Sequence, residues 1–156
     1  MALATQSVVV RPVRRADYGE WRPLWDAYNA FYGRAGPTAL PEEITASTWK
    51  RFFSATEPMA AQVAEYEGRV AGLVHYLFHR STNRLRDVCY LQDLFTAEHL
   101  RGKGIGRRLI LAVYEAAAGA GCSRVYWHTQ ASNSAGRALY DKVAEHKGFI
   151  VYGHEL

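Results

Sequence analysis

Residues 98–109 read EHLRGKGIGRRL, with Gly102, Gly104 and Gly106 at alternate positions among Arg101, Lys103, Arg107 and Arg108. The stretch before it, DVCYLQDLFT at 87–96, is apolar and aromatic and reads as a strand. After it, Ile105, Leu109, Ala112, Val113 and Ala116 fall on one helical stripe, which Gly119 and Gly121 end. Strand, glycine-rich loop and helix in that order build an anion site. Unpaired N–H groups at a helix start point outward, the helix dipole adds positive potential, and glycines let the backbone approach an anion without Cβ interference.

Three phosphate loops compete for this pattern. A Walker loop needs Ser or Thr after its GK, and Lys103 is followed by Gly104. A Rossmann fingerprint needs GxGxxG early in a βαβ unit with an acid about 20 residues on. Here the spacing is GxGxG at mid-chain, and Arg124 stands in the neighbourhood of that acid. Arg101-Gly102-Lys103-Gly104-Ile105-Gly106 instead resembles the [Q/R]xxGx[G/A] element of the GCN5-related N-acetyltransferases (GNAT), which cradles the pyrophosphate of acetyl-CoA. The resemblance extends over nearly the whole chain. YLQDLFT is similar to the family's fourth strand, which splays from the fifth to admit the pantetheine arm. VYWHTQASNSAGRALYDK is similar to the fifth strand and the Asn-x-x-A-x-x-x-Y segment after it. VYW, Asn133 and LYDKV resemble the fungal branch of histone, polyamine and D-amino-acid acetyltransferases, and YLQDLF resembles the spermidine/spermine enzymes.

Outward from this centre, residues 7–13 (SVVVRPV) read as a first strand, and Asp17 offers an N-cap to a helix over 18–32. GRAGP at 33–37 is a loop, and Pro41 with Glu42 and Glu43 opens a second helix running to about Phe53. MAAQVAEY and RVAGLVHYLFH form a hairpin turning at Glu67-Gly68. RVYWHT at 124–129 is a strand, 134 to about 146 a helix, and GFIVYGHEL a last strand. The expected order, β-α-α-β-β-β-α-β-α-β, gives an α/β fold of mixed sheet with helices packed on it; the resemblance implies that the sheet is mostly antiparallel, with helices on both faces and parted fourth and fifth strands.

The 156 residues, 49% hydrophobic and 22% charged, suit one folded domain over 1–156 and argue against disorder. No apolar run is long enough for a bilayer, and residues 1–15 lack the plan of a signal peptide. Cys89 and Cys122 are too isolated for a disulfide framework or a zinc site, so no metal is expected and a cytoplasmic location is. The net charge of +4 suits an anionic ligand, whereas the aromatic-and-basic patterns of nucleic-acid modules are absent.

The resemblance implies acetyl-CoA held by Leu94, Phe95, Thr96, Arg101, Gly102, Lys103, Gly104, Ile105, Gly106, Arg107, Asn133, Arg137 and Tyr140. It implicates the Leu94 and Phe95 amides in stabilising the oxyanion, and Tyr140 as the acid that returns a proton to the thiolate. By residue type alone, Tyr140 also reads as an aromatic on a buried stripe with Ala138, Leu139 and Val143, and Asn133 as a helix cap. The base is open. Gln92-Asp93 stands where the polyamine enzymes carry Glu-Asp, and an amide cannot take a proton. Alternation puts Asp93 on the face of Leu91 and Phe95, as a base or as a structural acid at a bulge. His75 and His79 share one face of the third strand and have the right ordinary pKa, about 6.5, and water is a further route. Neither cysteine stands near a motif that would make it a nucleophile, so direct transfer is expected.

The resemblance implies an acceptor side built from the first two helices and the third-to-fourth strand connection, which supply Trp25, Tyr28, Tyr32, Glu42, Glu43 and Trp49 and the basic turn RSTNRLRD at 80–87, with His75 and Gln92 beside them. The aromatic spacing and first-turn acids are equally what a core and a helix dipole require. Three arginines suit an acceptor with a carboxylate, hence a small amine or amino acid over a polyamine or histone tail. A protein acetyltransferase and a silent acyl-CoA binder remain as alternatives. The single last strand, after the inserted KVAEHKGF, suggests pairing across a homodimer.

Overall fold

The computed structural model describes residues 7–156. They form strands β1 (Val9–Pro12), β2 (Met59–Tyr66), β3 (Arg69–His79), β4 (Val88–Thr96) and β5 (Val125–Tyr126). The α-helices are α1 (Tyr18–Phe31), α2 (Glu42–Arg51), α3 (Ile105–Gly119) and α4 (Ser134–Val143). The sheet runs β1-β2-β3-β4-β5, antiparallel throughout except that β5 lies parallel to β4. The β2–β3 hairpin turns on Glu67 and Gly68, whose φ values of 53° and 75° are those of the tight turn that matches strand twist.

Alternation along β3 divides the core. Val74 and Tyr76 face α3 with Leu109, Ile110 and Val113, and α4 adds Leu139, Tyr140 and Val143 to that layer. Leu73 faces the other way, against Trp21, Leu24, Trp25 and Tyr28 of α1, with Trp49 of α2 behind them. α3 lies so close to the sheet that a Cβ on Gly72 would stand 3.0 Å from Leu109 Cδ1 and 3.0 Å from the Phe95 carbonyl oxygen. The mixed sheet with helices on both faces is the architecture that the resemblance implied.

Four local expectations are corrected. Asp17 precedes α1 but makes no side-chain cap; its carboxylate is taken by Arg11 (2.8 Å to each oxygen) and by the Arg14 N–H. β5 is two residues long where six were expected, because its neighbour diverges from it. α4 ends at Val143, and Ala144 is extended. GFIVYGHEL forms no strand: β5 offers almost no edge to pair with, and Phe149, Ile150, Val151 and Tyr152 lie exposed. No helix among the described residues is long and apolar enough to cross a membrane.

Candidate active site

Two of the loop glycines are there for backbone conformation and the third for packing. Gly102 and Gly104 have φ of 79° and 81°, a region open to glycine at little cost, and a Cβ on either would meet nothing within 4 Å. Gly106 lies under α4, where a Cβ would approach Leu139 Cδ2 to 3.3 Å. Gly104 is the N-cap of α3 and no side chain caps it, so the N–H groups of the first turn face outward. Arg101 donates from Nε to the Thr96 carbonyl (3.3 Å) and lies over the Phe95 ring, Lys103 lies over Tyr66, and Arg107 is exposed. Arg108 is committed elsewhere, to the Val8 carbonyl at 2.9 Å.

β4 and β5 pair only at Cys89–Val125 and Tyr90–Tyr126, then part. The parting opens a narrow cleft lined by Tyr28, Tyr32, Gln92, Leu94, Trp127 and Tyr140. Tyr140 stands edge-on to Trp127 (5.5 Å between centroids), and burial pushes its phenol above the ordinary value of 10.0, so it remains a protonated donor. Asn133 caps α4 by accepting from the Gly136 N–H at 3.2 Å, and its Nδ2 donates to Thr129 Oγ1. Arg137 donates to the Ala131 carbonyl and braces the same turn. In a wider hollow between β1 and α3, Gln62 is engaged with the Tyr76 hydroxyl and Arg108 with the Val8 carbonyl.

Asp93 lies on the opposite face from the one Leu91 takes, correcting simple alternation. His75 pairs with Asp93 and Tyr76 with Leu91, so Gln92 is an extra residue in β4. This bulge sends Leu91 to the α3 side and Asp93, with Phe95, to the α1 side. There the Asp93 Oδ2 lies 2.9 Å from His75 Nδ1, and Trp21 Nε1–H donates to His75 Nε2 at 3.0 Å. Because the indole can only donate, Nε2 accepts and the His75 proton sits on Nδ1, directed at the carboxylate. Trp21 is 0% and His75 2% exposed, so water does not compete with this chain of bonds. The Asp93 carboxylate lies beside the Tyr28 hydroxyl; burial first, and then Asp93, raise the phenols of both Tyr28 and Tyr32.

Other expected acceptor residues are elsewhere. Trp49, half-buried, packs at a tilt against Trp21, and Trp25 donates to Thr45 Oγ1 at 3.0 Å. Glu42 is held by Arg22, and Glu43 is exposed. His79 bonds the Tyr126 hydroxyl (2.7 Å) on an exposed edge. The 80–87 turn is tied to the closed end of the β4–β5 pair, Arg80 to Asp87 and Arg84 to Ser123. Sequence reasoning missed Trp21, Trp127 and His128. Trp21 lies 54 residues from its partner, so no local signal marks it, whereas Trp127 and His128 directly follow β5 in a segment already singled out. Cys89 is buried, which pushes its thiol up to about 12 and rules it out as a ready nucleophile.

Residues 21–144 match the acetyltransferase (GNAT) family. The chain belongs to that family. Acetyl-CoA is the family's co-substrate, and the chain is an N-acetyltransferase. It is 32% identical over 152 residues to the D-amino-acid N-acetyltransferase HPA3 of Saccharomyces cerevisiae, covering 96% of this chain and 92% of the yeast protein. It is 26% identical to the uncharacterized N-acetyltransferase YhfO of Bacillus subtilis, over 92% of this chain and 94% of that one. In fold it is similar to the aminoglycoside acetyltransferase AAC(6')-Iy solved with a bisubstrate analog, with a TM-score of 0.82 at 17% identity over 96% and 99% of the two chains. The residues present suit acetyl-CoA: an uncapped helix start, open space beside two left-handed glycines, and cations at Arg101, Lys103 and Arg107.

Proposed function

We propose that this GNAT enzyme acetylates the amine of a small molecule, an amino acid, by direct transfer between Asp93 on one side of the cleft and Tyr140 on the other. The observation that carries the reading is the parting of β4 and β5 after Tyr90–Tyr126, with Tyr140 on the α4 wall and Tyr28 and Tyr32 on the α1 wall. The coenzyme supplies an acetyl group already activated as a thioester. Outward N–H groups of Gly104–Arg107, with Arg101 and Lys103, bind its pyrophosphate. An outward amide of the Leu94–Phe95 pair on the unpaired edge of β4 polarises the acyl oxygen. Asp93, steadied by the His75 Nδ1–H, orients the amine and receives its proton. Tyr140, kept neutral by burial, protonates the departing thiolate. The narrow cleft favours a small acceptor, and the yeast relative named for D-amino acids supports the same class.

The test is thiol release from acetyl-CoA with a panel of D- and L-amino acids, simple amines, polyamines, an aminoglycoside and a lysine peptide, beside Tyr140→Phe. Turnover with amino acids is expected, with kcat reduced about 100-fold in the variant, the low end for a lost general acid. Turnover confined to the peptide, or unchanged kcat in the variant, would overturn the substrate class or the role of Tyr140 respectively.

A further inference from the structure

The rim of the cleft carries a cation that the proposed chemistry leaves unused. Arg34 stands just past α1, where the chain ends the helix in a Schellman turn. The Gly33 N–H donates to the Ala30 carbonyl (3.0 Å), and the Arg34 N–H reaches back to the Asn29 carbonyl (2.9 Å). Gly33 makes this possible with a φ of 79°. The turn folds the Arg34 side chain back along the helix it has just left, and Asn29 receives it: Nε donates to Asn29 Oδ1 at 2.7 Å. Asn29 is itself 4% exposed and locked by its Nδ2 bond to the Trp25 carbonyl at 2.9 Å. The guanidinium carbon then lies 5.9 Å from the Tyr28 ring centre and 5.5 Å from that of Tyr32.

Four bonds and two aromatic faces thus fix a guanidinium whose two Nη groups meet no carboxylate and no carbonyl among the described residues. Arg11, Arg22, Arg69 and Arg80 each face a carboxylate. A planar fork held at Nε, with both Nη groups left over, is shaped for bidentate contact with a carboxylate. The two tyrosines on which it rests line the cleft and stand beside Asp93. The cleft is thus lined by two neutral phenols, with a carboxylate, backed by His75, beside Tyr28 and a guanidinium against both rings. Its charges are arranged as those of a zwitterion in reverse.

We propose that Arg34 is the specificity-determining residue for a free α-amino acid, gripping the substrate carboxylate with its Nη groups while the amine lies toward Asp93. This rests on the acceptor reading above and narrows it. Polyamines, which would bring a second cation to Arg34, are disfavoured, and so is a backbone amide, which has no charge to place there.

The test compares a free amino acid with its own carboxamide as acceptor, in the wild-type enzyme, Arg34→Gln and Arg34→Lys. A charged hydrogen-bonded contact is worth about a 10- to 100-fold preference. The wild type should favour the acid in kcat/KM by that factor, carried by KM. In Arg34→Gln the preference should fall to within about threefold of unity, with Arg34→Lys between the two, and the KM for acetyl-CoA unchanged in both. Equal losses on acid and carboxamide, or a wild type that does not distinguish them, would overturn the assignment; the second arm needs no variant to fold. Wild-type turnover of an amino acid no better than of its carboxamide sinks Arg34 alone, whereas turnover of simple amines but of no amino acid, or silence toward every amine, sinks the acceptor reading as well.

Discussion

Replacing His75 with phenylalanine keeps a ring of similar size between Trp25 and Phe52 while deleting both nitrogens. Two buried bonds go with them. The Trp21 indole N–H, in a side chain with no solvent exposure, loses its acceptor at 3.0 Å. A donor stranded in this way costs about 1–3 kcal/mol. Asp93, 9% exposed, loses the donor at 2.9 Å, and a hydrogen bond to a charged group is worth about 1.5–3 kcal/mol. The expected loss is about 3–5 kcal/mol, a large part of the roughly 5–15 kcal/mol that holds a domain of this kind together. With a urea slope of about 2 kcal/mol/M the midpoint should fall by about 1.5–2.5 M. Equilibrium urea unfolding by far-UV circular dichroism, on wild type, Trp21→Phe, His75→Phe and the double variant, measures both the loss and the coupling. In the double variant no indole donor remains to be stranded, so its loss should be smaller than the sum of the single losses by about 1–2 kcal/mol. Losses that add to within about 0.5 kcal/mol, or a single loss below about 1 kcal/mol, would refute the buried chain of bonds.

Other expectations follow from the same geometry. Arg11 holds the Asp17 carboxyl below its ordinary 3.8, with side chains 12% and 10% exposed, so Asp17→Asn should cost about 3 kcal/mol at pH 7. Because the folded form binds its proton only at lower pH than the unfolded chain, that stabilisation is whole above about pH 5 and is lost as pH falls through the lowered folded value. The gap between variant and wild type in urea midpoint should therefore close in acid. Gly104→Ala forces a side chain into left-handed backbone, a strain of about 1–2 kcal/mol, and should raise the acetyl-CoA KM several-fold in steady-state assays. Gly72→Ala, meeting a backbone oxygen at 3.0 Å, should lower stability by about 1–3 kcal/mol in calorimetry.

Where local pattern and tertiary demand coincide, the sequence is readable. Strands β2 and β3 fall on the expected residues because alternation and the Glu67-Gly68 turn agree, and the loop at 102–106 is marked by glycines that its backbone and packing require. The candidate site is legible as far as it rests on such local signals: Tyr28, Tyr32, Gln92, Leu94 and Tyr140 come together on one cleft. What escapes is whatever depends on a distant partner. The Gln92 bulge has no glycine to announce it, yet it moves Asp93 to the other side of the sheet from Leu91. The FIVY segment has the composition of a strand, but a strand is a ladder and needs an edge. Of the arginines expected beside the acceptor, Arg80 and Arg84 are bonded to Asp87 and Ser123 at the closed end of the β4–β5 pair, while Arg34, in the connection between α1 and α2, lies against the rings of Tyr28 and Tyr32.

With only two residue pairs joining β5 to β4, the sheet is a structure of unequal cooperativity. Strands β1 to β4 share long ladders, so their amides should open to hydrogen exchange chiefly when the whole fold does. The unit made of β5 and α4 is fastened by those two pairs, by the bond between His79 and the Tyr126 hydroxyl (2.7 Å), by the Tyr114 hydroxyl on the Val143 carbonyl (2.8 Å), and by side-chain packing against α3. It should therefore open at a fraction of the global free energy. A molecule lying between β4 and β5 touches both units, and its binding energy becomes the missing fastening, so occupancy should be recorded as slowed exchange in α4.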